Sequence, residues 1–556
     1  MVRPVRSLSM TLAKSTVRQR IALAFGVGLL AASALGTRSQ IPRGVETSEI
    51  WIDRSDWQTH GRLYRPTASQ GRLPGVLLVH GYAGNLVSME APFAYELARQ
   101  GFVVLGIDYD GHGQSGGGTR RTRGAVGTPE EQKTLRLALD VLAEQPDVIP
   151  DRLALVGHSQ GAQAATLVAR LDARVWGVVS IAGPLETELY LDGAGPRNLL
   201  LIQGGRDLVN PARVPKIAKD IRWAVDLGRT YGDPTTGTGR RRFVALSAGH
   251  IAVLYDPSVR AEVLAWLRST LSTGPSGSVV PHPIPRGWLV LGLVGLAISI
   301  PSLGSLLAWC LTPWAAQMSV DPKEAPESSE VRGTLVAFAR SLSIVIGVYF
   351  AIPLVGRAAS EFGNLPLSGA SPAVGAMWAT AATLLLSLPL LILPVKVGYW
   401  RNVASLEVRG IGGSLAFAAA LVFFACSAVA TISKHYYDFV PSVRRANAGV
   451  MLFALTCGPT FVWTLCVTCA TRATPATHVT KAFLLAVLPV LSVALLLSNT
   501  SYLLRMGGNV LVLGFMTQFF IWPAVMLHCR AASIVGVTLF SSLLLAWAMS
   551  ACFPFN

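Results

Sequence analysis

A stretch of five residues, Gly-His-Ser-Gln-Gly at 157–161, constrains the fold of this chain more than any other feature. It follows a short apolar run at 153–156 and leads directly into an apolar helical pattern at 162–168. Glycines at both ends allow a strand and a helix to approach closely across a strained turn. The pattern predicts a buried strand, a sharp turn and a helix, with the hydroxyl group of Ser159 exposed at the turn.

Apolar strand-like runs alternate with helical patterns from residue 45 to residue 272. Continuous apolar strands separated by helices are typical of a mostly parallel sheet that helices cover on both faces. We therefore expect a single α/β domain over 45–272. The predicted strands are residues 75–80, 102–107, 153–156, 176–181, 199–202 and 243–246, and the predicted helices are residues 88–100, 129–145, 161–171, 211–226 and 257–271.

Two residues later in this domain complete a catalytic pattern with Ser159. A serine hydroxyl is a weak nucleophile until a base takes its proton, and the base needs an acid to orient it. Asp207 follows the strand predicted at 199–202, and His250 follows the strand predicted at 243–246. In open α/β sheets, the catalytic and binding sites lie at the carboxyl ends of the strands. The order of the three residues predicts Ser159 as nucleophile, His250 as base and Asp207 as orienting acid.

The same five-residue pattern occurs a second time, around Ser115. The residues that follow are Gly-Thr-Arg-Arg-Thr-Arg, at 118–123, and they contain no apolar helical pattern. A nucleophile turn requires a helix directly after the serine. We therefore expect Ser115 to be a turn residue.

Three stretches of 45–272 resemble the α/β-hydrolase superfamily. Residues 150–161 are similar to the nucleophile turn of the dienelactone-hydrolase and prolyl-oligopeptidase-like branch, and residues 80–82 resemble the oxyanion loop. Residues 108–115 resemble a turn that is also found in monoglyceride-lipase-like and serine-aminopeptidase-like members. The resemblance implies an oxyanion hole formed by the backbone N–H groups of Tyr82 and Gln160. It is specific for the fold and the catalytic triad, and weak for the substrate.

The second half of the chain has a different composition. Residues 37–286 contain 28 Lys/Arg and 24 Asp/Glu, whereas the 270 residues after them contain only 14 and 7. Long apolar runs of this kind satisfy their backbone in lipid only as helices or closed barrels. We expect an all-α multi-pass transmembrane bundle of about eight helices, fused to the hydrolase. The predicted spans are residues 288–311, 334–355, 375–395, 412–432, 448–470, 482–503, 508–527 and 533–552.

These patterns divide the chain into five parts. Residues 21–36 are uncharged and apolar, short for a membrane span, and contain a small-residue stretch at 32–34, so both a transmembrane anchor and a signal segment fit them. Pro, Gly and Ser are frequent at 273–287 and predict a linker. The predicted parts are a basic cytoplasmic leader at 1–20, the anchor or signal segment at 21–36, the hydrolase at 45–272, the linker at 273–287 and the transmembrane domain at 288–556.

The net charge of +16 is spread over the leader and the loops that flank the predicted spans. With the leader in the cytoplasm, the inside segments carry thirteen basic residues and the short outside loops carry five. Basic residues are enriched on the cytoplasmic side of membrane proteins. We therefore expect a multi-pass protein of the cell membrane with an extracytoplasmic hydrolase domain, and no nucleic-acid partner.

Nothing in the sequence predicts a metal ion or another cofactor. The hydrolase region has no cysteine, and Cys466 and Cys469 lie in an apolar run without a second pair or a histidine beside them. Such a pair is typical of small packing residues. The chain also has no phosphate-binding glycine loop between a strand and a helix.

The expected activity is cleavage of a carboxylic ester, with a lipid or lipid-linked ester as candidate substrate because the site is held near a bilayer. Peptide cleavage and acyl transfer by the same triad remain open. So do a transporter with an accessory hydrolase domain and a sensor with a vestigial one, although ion-coupled transport needs ionisable groups within the spans and these contain few. The bundle can also serve as a surface for homo-oligomerisation.

Overall fold

The computed structural model describes about three fifths of the chain, in two compact units. One unit comprises residues 37–286, 433–442 and 552–556, and the other comprises residues 1–36, 287–432 and 443–551. The described residues are 5–38, 43–68, 71–118, 129–183, 195–207, 209–210, 226–271, 281–284, 287–311, 374, 411–434, 437–439, 443–472 and 534–552.

A sheet of nine strands forms the centre of the first unit, in the order β1-β2-β4-β3-β5-β6-β7-β9-β8. The six central strands, β4-β3-β5-β6-β7-β9 in their order across the sheet, are parallel. At one edge β2 pairs antiparallel with both β4 and β1, and at the other edge β8 pairs antiparallel with β9. The strands are β1 (Val45–Asp53), β2 (Gln58–Pro66), β3 (Leu73–Val79), β4 (Val103–Ile107), β5 (Val148–His158), β6 (Val175–Ile181), β7 (Leu199–Gly204), β8 (Thr230–Tyr231) and β9 (Arg240–Ala245).

Helices cover both faces of this sheet, because the central strands are apolar on both sides. On one face, Phe93 and Leu97 pack with Val259 and Val263. On the other, Leu135 packs with residues of the helix that follows β5. The first helix of the chain, α1 (Val5–Arg38), belongs almost entirely to the second unit. The helices of the first unit are α2 (Val87–Met89, a π-helical turn at Glu90–Ala94, and Tyr95–Arg99), α3 (Pro129–Ala143), α4 (Gln160–Ala169) and α5 (Pro257–Leu271).

The α/β-hydrolase architecture expected from the sequence is confirmed, with corrections to its edges. The six predicted strands correspond to β3, β4, β5, β6, β7 and β9. β1, β2 and β8 were missed, and β9 begins at Arg240 rather than at residue 243. The predicted helix at 211–226 lies outside the described residues except at its last position.

The second unit is helical where it is described, and four of its helices are long and apolar enough to cross a membrane. These stretches are Val17–Arg38, Gly287–Leu307, Ile411–Ser433 and Ile534–Ala551. The helices here are α1, α6 (Gly287–Leu311), α7 (Ile411–Ser433), α8 (Val443–Arg472) and α9 (Ile534–Cys552). The spans predicted at 334–355, 375–395, 482–503 and 508–527 lie outside the described residues. The multi-pass bundle therefore stays a prediction.

Small residues bring α1 and α6 together within this unit. A Cβ atom added at Gly26 would lie 2.4 Å from the hydroxyl of Ser299, and one added at Gly295 would lie 2.7 Å from the carbonyl oxygen of Gly26. The hydroxyl of Ser33 donates a hydrogen bond to the carbonyl oxygen of Trp288 (2.7 Å). Close backbone approach through small residues is common where apolar helices associate in lipid.

Candidate active site

Ser159 lies at the turn between β5 and α4 in a strained backbone conformation. Its φ of 52° and ψ of −115° fall in a region that residues with a side chain rarely adopt. The N–H group of Ser159 donates a hydrogen bond to the carbonyl oxygen of Ile181 at the end of β6 (2.8 Å). The turn is therefore tied to the neighbouring strand, and the serine side chain is partly exposed above the sheet.

The two glycines of this turn have no room for a side chain. A Cβ atom at Gly157 would lie 2.4 Å from the carbonyl oxygen of Gly161. One at Gly161 would lie 2.4 Å from the carbonyl oxygen of His80, at the end of β3. In both cases the obstacle is backbone, which cannot rotate away. Glycine is thus required for α4 to start directly against β3 and β5.

The structure brings the side chains of Ser159, His250 and Asp207 together. His250 Nε2 lies 3.0 Å from Ser159 Oγ, and His250 Nδ1 lies 2.8 Å from Asp207 Oδ2. An ionised carboxylate only accepts hydrogen bonds, so Nδ1 carries the proton and Nε2 is left to accept the serine hydroxyl. The Asp207 side chain is fully buried, and the His250 side chain is 15% exposed. The geometry permits transfer of the serine proton to His250.

Backbone N–H groups hold the second oxygen of the Asp207 carboxylate. Oδ1 accepts hydrogen bonds from the N–H groups of Val209 (2.8 Å) and Asn210 (2.9 Å). The side chain of Asn210 donates to the carbonyl oxygen of Ala182 (2.7 Å) and so connects this loop to the end of β6. Three hydrogen bonds thereby fix the orientation of the carboxylate, with Oδ2 facing His250.

Two glycines that the sequence reasoning did not single out allow the loops carrying Asp207 and His250 to meet. A Cβ atom at Gly204 would lie 2.4 Å from the carbonyl oxygen of Ala248, and one at Gly205 would lie 2.5 Å from that of Leu246. The two loops therefore contact backbone to backbone. A Gly-Gly pair, separated from the candidate catalytic acid by Arg206 alone, was the signal available in the sequence.

The residues predicted for the oxyanion hole lie beside the serine. Gln160 is the first residue of α4, and its side chain donates a hydrogen bond to the carboxylate of Glu131. Tyr82 belongs to a turn closed by the Gly84 N–H and the Gly81 carbonyl oxygen (3.0 Å). A Cβ atom at Gly81 would lie 3.1 Å from that of Ser159, so this turn packs directly on the nucleophile.

Three further residues of the motifs found in the sequence make hydrogen bonds to the backbone. His80 accepts a hydrogen bond from the Tyr109 N–H at Nε2 (3.1 Å) and its Nδ1 contacts the Gly81 carbonyl oxygen (2.7 Å). His158 Nε2 donates to the carbonyl oxygen of His250 (2.9 Å). The hydroxyl of Ser115 donates to the carbonyl oxygen of Asp108 (2.8 Å), inside the turn after β4.

Asp108 organises the loops on this side of the site, and sequence reasoning did not assign it a function. Its Oδ1 accepts the Leu86 N–H (2.8 Å), and its Oδ2 accepts the Gln114 N–H (3.0 Å) and contacts His60 Nδ1 (2.8 Å). Burial opposes ionisation of Asp108, but the hydrogen bond and charge of His60 outweigh it and lower the pKa of Asp108. Burial likewise opposes protonation of His60, but Asp108 and Glu49 outweigh it and raise the pKa of His60.

His158 makes the folded protein sensitive to acid. Burial, followed by the nearby charge of His250, lowers the pKa of His158 to about 3. Between pH 3 and 6.5 the unfolded chain binds a proton at this position and the folded chain does not. The contribution of His158 to the free energy of unfolding is therefore fully present above pH 6.5 and falls by about 1.4 kcal/mol per pH unit between pH 6.5 and pH 3.

We expect His158→Gln to remove this part of the acid sensitivity, because glutamine retains an N–H donor for the His250 carbonyl oxygen and does not titrate. The measurement is the urea midpoint of the hydrolase unit in the full-length protein in detergent, followed by pulse proteolysis from pH 4.5 to 7.5. An equally steep loss of stability in the variant and the wild type would show that His158 is not the residue responsible.

No group of three or more His, Cys, Asp or Glu side chains that could hold a metal ion is found among the residues that the structure describes. The arrangement at Ser159 instead consists of a hydroxyl, an imidazole and a carboxylate in one hydrogen-bonded chain. A base in contact with a hydroxyl group is the arrangement that can take its proton.

Comparison with protein families identifies the superfamily to which this region belongs. Residues 74–224 match the family model of the serine aminopeptidase, S33, family of α/β hydrolases. The matched stretch includes Ser159 and Asp207 and ends before His250. The α/β-hydrolase resemblance seen in the sequence is therefore confirmed, and this region is that of a hydrolase.

Two curated relatives are uncharacterized proteins of Mycobacterium tuberculosis, from strains CDC 1551 / Oshkosh and ATCC 25618 / H37Rv. Each is 35% identical to this chain over 130 residues, which is 23% of this chain and 41% of the relative. The chain thus spans about two fifths of the length of these relatives. Their names state no activity.

Three solved structures are similar to about two fifths of this chain. A predicted CIB-like hydrolase from Thermoplasma acidophilum is 19% identical and covers 40% of this chain and 99% of its own, with a TM-score of 0.32. A hypothetical protein from Pseudomonas aeruginosa (16%, covering 42% and 96%) and an esterase from Pyrococcus furiosus (18%, covering 41% and 93%) both have a TM-score of 0.31. These values are low, and the assignment above depends on the family match and the sheet topology.

Proposed function

We propose that this protein is a membrane-bound serine hydrolase that cleaves carboxylic esters through an acyl-enzyme intermediate. The observation that carries the proposal is the hydrogen-bonded chain from Ser159 through His250 to Asp207, placed on a strained strand–helix turn. A serine held in this way has a base within reach of its proton and an exposed side for a substrate carbonyl group.

The proposed reaction has two steps. Ser159 Oγ attacks the ester carbonyl carbon while His250 Nε2 takes its proton, and the N–H groups of Tyr82 and Gln160 stabilise the negative charge on the carbonyl oxygen. His250 then returns the proton to the departing alcohol, which leaves Ser159 acylated. In the second step His250 Nε2 takes a proton from water as the water oxygen attacks the acyl carbon. His250 then returns this proton to Ser159 Oγ, the bond between Oγ and the acyl carbon breaks, and the carboxylic acid is released.

The proposal includes attachment to a membrane and the side of the membrane on which the hydrolase lies. Four apolar helices of membrane-spanning length occur among the residues that the structure describes. In this proposal they hold the hydrolase near lipids, many of which are esters. The basic leader supports a cytoplasmic N terminus, with the domain that follows α1 on the other side of the membrane. We propose a lipid or lipid-linked ester as substrate on the extracytoplasmic side.

Peptide cleavage is the second candidate, because the family model that matches residues 74–224 is named for a serine aminopeptidase. The triad acts on amides by the same two steps, with an amine as leaving group. What separates the two activities is recognition of the substrate. An aminopeptidase must bind a free ammonium group, whereas a lipid esterase must bind an apolar acyl chain.

The test compares both substrate classes on the full-length protein. We expect p-nitrophenyl esters with acyl chains of increasing length to be cleaved with a kcat/KM at least about tenfold above that of aminoacyl p-nitroanilides. A reversed order would favour the peptidase. A membrane-impermeant fluorophosphonate should label the protein on intact cells, and labelling that requires lysis would contradict the extracytoplasmic side.

A further inference from the structure

Three residues from far along the chain belong to the same compact unit as the hydrolase fold. Tyr437, Asp438 and Phe439 follow α7 in the sequence, within residues 433–442, which are part of this unit. Phe439 is buried, and its ring lies 4.7 Å from that of Tyr437, centroid to centroid. We refer to residues 437–439 as the distal segment.

The distal segment makes hydrogen bonds to the loops that surround Ser159. The hydroxyl of Tyr437 donates to the carbonyl oxygen of Ala83 (2.8 Å), a residue 354 positions earlier. The side chain of Asn85 donates to the backbone carbonyl oxygen of Asp438 (3.0 Å). The side chain of Gln114 donates to the Asp438 carboxylate (3.3 Å). Three separate hydrogen bonds therefore hold this segment against the turns at 81–85 and 111–115.

The first of these hydrogen bonds reaches a strained position. Ala83 has a φ of 58°, in the left-handed region that residues with a side chain rarely adopt. Such a conformation persists only where its surroundings hold it. Ala83 directly follows Tyr82, the predicted oxyanion donor, in the turn that packs on Ser159 through Gly81. Fixing the Ala83 carbonyl group also fixes the chain that carries the Tyr82 N–H.

We propose that Tyr437 is a positioning residue for the oxyanion hole, and this proposal rests on the serine-hydrolase function proposed above. Its hydroxyl group holds the turn at 81–85 in the strained conformation that directs the Tyr82 N–H toward the carbonyl oxygen of the substrate. Stabilisation of the developing oxyanion depends on donors that are already in place. Full activity therefore requires a residue outside the region that matches the hydrolase family.

The test is Tyr437→Phe in the full-length protein, which removes one hydroxyl group and keeps the ring that packs on Phe439. Loss of one hydrogen bond predicts a decrease in kcat for a p-nitrophenyl ester of about five- to tenfold. KM should change by less than about twofold, since the oxyanion forms only in the transition state. The inhibition constant of an alkylboronic acid, which forms a tetrahedral oxyanion on serine, should rise by the same factor as kcat falls.

Tyr231→Phe is the matched control, because it removes a hydroxyl group that donates to the Asp226 carboxylate beside the edge strand β8. It should leave kcat and the boronate inhibition constant unchanged. Active-site titration with a fluorophosphonate gives the concentration of folded enzyme for every variant. A merely structural effect of Tyr437→Phe would lower this titre and leave kcat per titrated site at the wild-type value, which would overturn the proposal.

Three other results would each overturn the positioning proposal. The first is a wild-type kcat in the Tyr437→Phe variant while Ser159→Ala inactivates the enzyme. This result would overturn the positioning proposal and leave the proposed function intact. A rise in KM with unchanged kcat would also overturn it, because the distal segment would then bind the substrate. A wild-type protein with neither esterase activity nor fluorophosphonate labelling would overturn this proposal together with the proposed function.

Discussion

Ser159→Ala is expected to lower kcat for ester hydrolysis by about 10⁵- to 10⁶-fold and to abolish labelling by a fluorophosphonate. The reason is that every step proposed for this site passes through the Ser159 oxygen, which His250 Nε2 contacts at 3.0 Å. Alanine keeps the Cβ atom and removes only this oxygen. The measurement is steady-state hydrolysis of a p-nitrophenyl ester by full-length protein in detergent, together with gel fluorescence of the labelled protein.

Ser115→Ala provides the matched control for this prediction. Ser115 is the centre of the second five-residue pattern, but its hydroxyl accepts the His60 N–H and donates to the Asp108 carbonyl oxygen within a turn. The control should remain labelled at Ser159. Labelling that persists in Ser159→Ala, or that disappears only in Ser115→Ala, would show that the nucleophile has been assigned to the wrong serine.

The centre of the fold and the three aligned side chains could be predicted because their signals are local. Residues 153–158 of β5 and most of α4 are buried, and the glycine-flanked Ser159 marks the turn between them. Asp207 and His250 each follow an apolar run that could only be an interior strand. Parallel strands place their carboxyl ends at one edge of the sheet, so the order along the chain implied proximity in space.

The edges of the sheet could not be predicted in this way, since their residues are polar. β1 is exposed over most of its length, and its acidic and hydroxyl side chains do not alternate with apolar ones. β2 contains Arg62, which is held by carboxylates of Glu49 and Glu90. The charged start of β9 resembles a loop in the sequence, although Arg241 pairs with Glu262 on α5. Long-range ion pairs of this kind leave no periodic pattern.

The contact of Tyr437 with Ala83 is the least predictable part of the candidate site. Nothing near Tyr437 in the sequence resembles a hydrolase motif, and the two residues are 354 positions apart. The strained Ala83 is equally hidden, because alanine is not a residue that indicates a left-handed conformation. Such a contact follows only from how the complete chain folds.

Asp207→Asn is expected to lower kcat by about 10³- to 10⁴-fold without unfolding the site. Asparagine offers one oxygen and one NH₂ group in place of two oxygens. The N–H groups of Val209 and Asn210 both point at the present Oδ1 position and require an acceptor there, so the NH₂ group is forced to face His250. His250 Nδ1 must then accept this hydrogen bond, and the ring proton moves to Nε2.

With its proton on Nε2, His250 donates toward the Ser159 oxygen and can no longer take the serine proton, although every heavy atom stays in place. The stability of the variant should therefore remain close to that of the wild type, while both hydrolysis and the rate of fluorophosphonate labelling fall. The measurement is the labelling rate at fixed probe concentration, with the urea midpoint recorded in parallel. A variant that keeps more than about a tenth of wild-type activity would contradict the assignment of Asp207, because a carboxylate elsewhere would then have to orient His250.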